Sequence, residues 1–172
     1  MADCPECGRP IDAHNRHIRL TYPDPIAMTE DRENADGFWM SHADAKTSVM
    51  MQAQGIGAFM RARLPVHLFG GYTVTYDLWL SIEPADLQYV SQIWDKPEYM
   101  QLVVEGVLAN AVPPWGLLQA PVRARVRDRR HTPYCDFSKY NDLARVIANE
   151  WAHEEVLAAL DAQEPGHEGH DH

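Results

Sequence analysis

The chain lacks any run of the roughly 18 consecutive apolar residues that a helical membrane span requires. Its opening "MADCPECGRP" also lacks the basic, then apolar, then small-residue order of an export signal. Both absences lead to the expectation of a cytoplasmic protein with no membrane partner. Basic residues are few: 15 Lys and Arg stand against 25 Asp and Glu, for a net charge of −10. Long-range repulsion then opposes general attraction to nucleic acid or anionic lipid, so only a local basic patch would bind either. Cysteine is scarcer still. Three residues cannot form an even disulfide framework, and two of them three positions apart suggest metal or redox use in a reducing compartment. The motifs of nucleophilic and nucleotide chemistry are missing as well, with no GxSxG, no GxGxxG and no phosphate-cradling glycine loop. His153 and Glu154 in "EWAHEEV" lack the second histidine of HExxH, which removes that metalloprotease pattern.

What is present is the composition of a folding chain. An apolar share of 45% and five tryptophans are enough to pack an interior, and 172 residues fit one domain of ordinary size. "HIRLTYPDP" alternates until its prolines stop it, which predicts a short strand and a turn. From "TSVMMQ" through "IGAFMRARLPV" to "YTVTYDLWLSI" the β-branched and aromatic content predicts three strands joined as hairpins, with breaks at Gly55, Gly57, Gly70 and Gly71. "EPADLQYVSQIWDKP" places Leu87, Val90, Ser91 and Trp94 on one helical face between Pro84 and Pro97. "LVVEGVLANAVPPW" is mixed, "PVRARVRDRRH" alternates as a strand, and helical spacing returns from Leu143 through Leu160 with a break near Trp151. The order of elements predicts an α+β fold, a mainly antiparallel sheet with two principal helices. The expected division is a metal knuckle over 1–20, a single α+β domain over 21–160 and a disordered His-rich and acidic tail over 161–172.

In "CPECG" two thiolates lie three residues apart and a glycine follows, which lets both sulfurs point at one ion. A structural zinc site wants four ligands, and no second CxxC supplies them. His14 and His17 give a compact C-x2-C-x6-H-x2-H spacing, with Cys135 in "TPYCDF" as an alternative third ligand. Redox use is disfavoured because only three residues precede Cys4, too few for the strand that feeds a thioredoxin-like helix. Two free thiols are the remaining reading. Zinc in a structural role is thus the expected cofactor, held by Cys4, Cys7, His14 and His17. The tail histidines His167, His170 and His172 read as a solvated end.

Alternation in "VRARVRDRR" puts Arg123, Arg125, Arg127 and Arg129 on one side of a strand, and Arg61 and Arg63 in "FMRARL" repeat the pattern. If the two strands lie side by side, an acidic protein gains a cationic patch suited to phosphate or carboxylate. Paired surface charge is the competing explanation. Asp77, a carboxylate in the apolar run "TYDLWLS", is either a pocket acid or the polar face of its strand.

The order of these landmarks resembles a bacterial family catalogued as domain of unknown function 2199. The resemblance is carried by "CPECG", "FMRARLPV", "DLWLSIEPADL" with the following "IWD", "GVLANAVPPW" and "DLARVIANEW". It departs from the family pattern where "GRPIDAH" delays a histidine to His14 and where Thr132 stands before Pro133. The resemblance implies a bacterial cytosolic protein and supplies no reaction. The expected function is a zinc-stabilised binding or accessory module for a protein or a small anionic partner. Two alternatives stand beside it: a metal-dependent enzyme with an open zinc position and Asp77 as base, or an immunity-like acidic inhibitor.

Overall fold

A computed structural model describes residues 15–28 and 37–163. Two long strands dominate it, β4 (Gly57–Leu68) and β5 (Tyr72–Ile82), paired antiparallel over eleven positions from Ala58↔Ile82 to Leu68↔Tyr72. Their connection turns at Gly70 and Gly71, both at positive φ (91° and 87°), where a side chain would be strained. The period of two sends Met60, Ala62, Leu64 and Val66 of β4, with Val74, Tyr76, Leu78 and Leu80 of β5, into one interior that water does not reach.

The chain continues antiparallel through β6 (Val103–Leu108), β7 (Pro121–Arg125) and β8 (Tyr134–Phe137). β8 then pairs with β4 at Arg63↔Tyr134, which closes a five-stranded barrel. An up-and-down run of five strands ends pointing the way it began, so this closure has to be parallel. Gly106 on β6 is fixed by sterics, since a Cβ there would lie 2.3 Å from the Ser81 carbonyl oxygen of β5.

The second edges of β4 and β5 are shared along their length by short strands. β5 takes the parallel strand β1 (His17–Arg19) at residues 75–77 and β6 at residues 80–81. On β4, the Arg61 N–H donates to Val49 and that of Arg63 to Pro133, and just past its end the Phe69 N–H donates to Trp151. Pro65 falls between the last two, at a gap where no ladder bond is demanded of it. The hairpin partner β3 (Met50–Ala53) carries the short β2 (Trp39–Met40), and β9 (Glu150–Trp151) pairs in parallel with the far end of β4.

Three helices, α2 (Pro84–Ile93), α3 (Asn141–Ala148) and α4 (His153–Gln163), bring Leu87, Val90, Leu143, Val146, Val156 and Leu157 to the same core. A short α1 (Asp24–Ala27) sends Ile26 to a second cluster on the outer face of the hairpin, around Phe59, Trp79 and Met51. The α+β class holds, with differences in detail. Four helices, rather than two, occur among the described residues, and the C-terminal helical run is divided by β9. Strands β2 to β8 pair antiparallel where they are consecutive up to β5 and beyond, while β1–β5, β4–β8 and β4–β9 are parallel. The predicted knuckle residues Cys4, Cys7 and His14, and the tail from residue 164, lie outside the described residues. No helix among the described residues is long and apolar enough to cross a membrane.

Candidate functional site

The strand register aligns one residue from each of five strands into a row on the outer face: Arg125 (β7), Tyr134 (β8), Arg63 (β4), Asp77 (β5) and Arg19 (β1). The residues are outward because their neighbours Ala124, Cys135, Ala62 and Leu78 fill the barrel. The condition that the two arginine strands lie side by side is not met: β8 separates them and contributes Tyr134 and Asp136 between them.

At the β1 end a buried carboxylate lies beneath more exposed basic side chains. Asp77 is 2% exposed, and its Oδ2 accepts from Arg19 at 2.7 Å and stands 2.8 Å from His17 Nε2. Arg63 Nε lies 3.4 Å from Oδ1, which has no aligned hydrogen-bond donor among the described residues. Arg19 also donates through Nε to the Lys46 carbonyl. With cations facing both carboxylate oxygens, Asp77 is placed to anchor them.

Arg61, two residues from Arg63 on the same face, is fully buried. Its Nε donates to the Ser48 carbonyl at 2.7 Å, and its terminal nitrogens donate to Leu20 at 2.7 Å and Ala45 at 2.9 Å, while the guanidinium lies 4.4 Å from the Trp79 ring centre. Burial, and then the nearby Arg19, pull its pKa down to about 9, against the opposing pull of Asp77. It therefore stays charged at neutral pH and holds the segments 20–21 and 45–48 onto the barrel.

The β7–β8 end is open. Arg123 makes a two-point contact with Asp136, at 3.0 and 3.3 Å, and Arg125 reaches the same carboxylate at 3.4 Å. Arg127 lies past the end of β7, with its guanidinium 4.5 Å from the Tyr134 ring centre. The strand predicted to run through Arg129 stops at Arg125, because Asp128 turns the chain by accepting from the Arg130 N–H and from His131. Those two bonds also lower the Asp128 pKa, the His131 contact most. A cavity of about 140 Å³ adjoins the row, lined by Glu105, Arg123, Phe137, Ser138 and Lys139 among others. That is room for a few waters or a group the size of a carboxylate or phosphate, and too little for a nucleotide.

Of the predicted site residues, the register brings together Arg63, Arg123 and Arg125, with Arg127 against Tyr134. Arg61 keeps the outer face but is covered by the segments 20–21 and 45–48, and His17 is set on Asp77. Cys135 faces the barrel interior at 1% exposure, where burial pushes its thiol up to about 12, so it is withdrawn both as a nucleophile and as a zinc ligand. Among the described residues no group of three or more His, Cys, Asp or Glu is close enough to hold a metal. Tyr134 and Asp136 were not anticipated, although they fall two apart in "YCDF", the signal that would have placed them on one face.

The fold and the row define a closed, odd-stranded barrel protein with an arginine-rich outer face. The family model for DUF2199, described as an uncharacterized protein conserved in bacteria, matches residues 3–147, and the chain belongs to this family. No match was found among curated proteins or solved structures.

Proposed function

We propose that this protein is a non-enzymatic binding module that receives the anionic groups of a partner on the β4–β8–β7 face. The observation that carries the reading is the charge of that face on an otherwise acidic chain. Arg63, Arg123, Arg125 and Arg127 follow one another across neighbouring strands, and Asp136 is the carboxylate set between two of them. Guanidinium groups steadied by a carboxylate and an aromatic ring are pre-organised, so little side-chain freedom is lost when an anion arrives. The small adjoining cavity suits single carboxylate or phosphate groups, from a free anion or an acidic protein segment. Zinc on Cys4 and Cys7 belongs to this reading as a structural element that secures the N-terminal part of the chain.

No specific observation favours catalysis. Asp77 is enclosed by His17, Arg19 and Arg63, and Cys135 is sealed in the core. The test is titration with inorganic pyrophosphate and, separately, with a glutamate-rich peptide, followed by amide chemical shifts. Shifts confined to β7, β8 and the 126–133 turn are expected, and each of Arg125→Gln and Arg127→Gln should weaken binding by about ten- to a hundredfold, as befits a charge-assisted bond worth about 1.5–3 kcal/mol. Binding of neither probe, or binding indifferent to both substitutions, would sink the reading.

A further inference from the structure

We propose that the β7–β8 face selects a partner segment in which an acidic residue adjoins an aromatic one, the acid meeting Arg123 and the aromatic ring lying on Phe137. The inference rests on the anion-binding reading and deepens it by naming the occupant.

An irregularity in the sheet carries it. In the β7–β8 ladder Arg125 faces Tyr134 and Ala124 faces Cys135, yet Arg123 faces Phe137. One extra residue, Asp136, is therefore inserted on β8 as a β-bulge, a device that re-aims side chains. Strict alternation from the outward Tyr134 and the buried Cys135 would send Phe137 inward. The bulge brings it to the face of Arg123 instead, so Tyr134, Asp136 and Phe137 all lie outside on a strand of four residues. Phe137 is left 49% exposed in a fold that buries Trp79 completely. Its position is fixed by the chain just beyond it, where Ser138 Oγ donates to the Pro121 carbonyl and accepts from the Tyr140 N–H.

Charge and apolar surface thus meet at one place. Arg123 is held from two sides, by Asp136 at 3.0 and 3.3 Å and by the Phe137 ring, whose centre lies 5.1 Å from the guanidinium. The cavity of about 140 Å³ opens beside them, with Lys139 and Glu105 among its charged walls and Pro121 among its apolar ones. The occupant follows from how these charges alternate. Glu105 borders the cavity, and Asp136 sits between Arg123 and Arg125, so carboxylates interrupt the cations. A nucleic-acid strand needs a continuous basic track for its phosphates, which this interrupted face on a chain of net charge −10 does not offer. Separate acid side chains of a peptide fit between the interruptions, and an aromatic residue next to the acid reaches the exposed ring in an offset or edge-on contact.

The experiment uses the full chain and two capped, dye-labelled peptides, one repeating Glu-Trp-Glu and one repeating Glu-Ala-Glu, with affinities read by fluorescence anisotropy. The Trp peptide is expected to bind about five- to tenfold more tightly than the Ala peptide. Phe137→Ala should remove that preference and Phe137→Tyr should keep it, with near-UV circular dichroism showing that both variants are folded. Binding of pyrophosphate but of neither peptide, equal affinity for the two peptides, or a preference that survives Phe137→Ala would each overturn this inference and leave the anion-binding reading in place. No binding of pyrophosphate or either peptide would remove both. Tighter binding of a short oligothymidylate than of the Trp peptide would overturn it in favour of a nucleic-acid strand. Self-association in sedimentation that Phe137→Ala abolishes and the Trp peptide does not compete with would overturn it in favour of a second copy of the chain.

Discussion

The two ends of the arginine row use the same side chain under opposite conditions. Toward β1, Arg61 and Asp77 lie beneath the N-terminal segments, and the Arg61 nitrogens are matched to backbone carbonyls. Toward β7, Arg125 is half exposed, and it shares Asp136 with Arg123. What distinguishes them is whether another segment covers the strand: a covered arginine is a structural tie, and an uncovered one is available to a partner. The contrast is sharpest between Arg61 and Arg63, neighbours on one face whose exposures are 0% and 21%.

Removing Arg61 should break the comparison most visibly. Arg61→Ala strands the carbonyls of Ser48, Leu20 and Ala45 and opens a hole against Trp79, for a loss of about 4–5 kcal/mol in urea unfolding, whereas Arg125→Ala should change stability by under about 0.5 kcal/mol. An equal effect at both positions would erase the distinction.

An alkaline titration tests the interior beneath both ends. Cys135 is pushed up to about 12 by burial, and burial also raises Tyr76 and Tyr99. These groups keep their protons in the fold where the unfolded chain has released them, so the unfolded state binds fewer protons and stability falls as pH climbs above about 9. Arg61, lowered by burial, acts in the opposite sense. Unfolding free energy should drop by on the order of 3–4 kcal/mol toward pH 12 through Cys135, and Cys135→Ala should flatten that decline. A parallel decline in the variant would remove Cys135 from the account.

Smaller effects distinguish the two carboxylates. Asp77→Asn leaves Arg19, Arg63 and His17 without their shared anion under cover and should destabilise by about 1–3 kcal/mol. Asp136→Asn, at the open end, should alter stability by less than about 1 kcal/mol while weakening pyrophosphate binding, because Arg123 and Arg125 lose the carboxylate that pre-organises them. Tighter pyrophosphate binding in this variant would show that Asp136 competes with the ligand more than it positions the arginines.

Much of this was legible in the chain and some was not, for physical reasons. The alternation in "FMRARLPV" and "YTVTYDLWLSI" is long enough to declare two strands and their inward faces, and it places Arg61 and Arg63 on one side. It says nothing of what covers that side, since the cover comes from β1 and from residues 45–48 through contacts that local pattern does not encode. β8 and β9, four and two residues long, are defined by their partners more than by their own composition. The turn at Asp128 is made by side-chain bonds that a period-two reading of "VRARVRDRR" passes over. His17 and Asp77 were each noticed, and only the parallel pairing of β1 with β5 brings them together.

Barrel closure has a further consequence, for self-association. An unpaired strand edge offers a row of free N–H and C=O groups to any neighbouring chain, and long edges are the hazardous ones. Here the twelve-residue β4 and eleven-residue β5 have both flanks occupied for much of their length. The described sheet terminates in β1, β2 and β9, three, two and two residues long. Such short edges template little, so the hairpin that builds the core is shielded from edge-to-edge aggregation by the small strands laid along it.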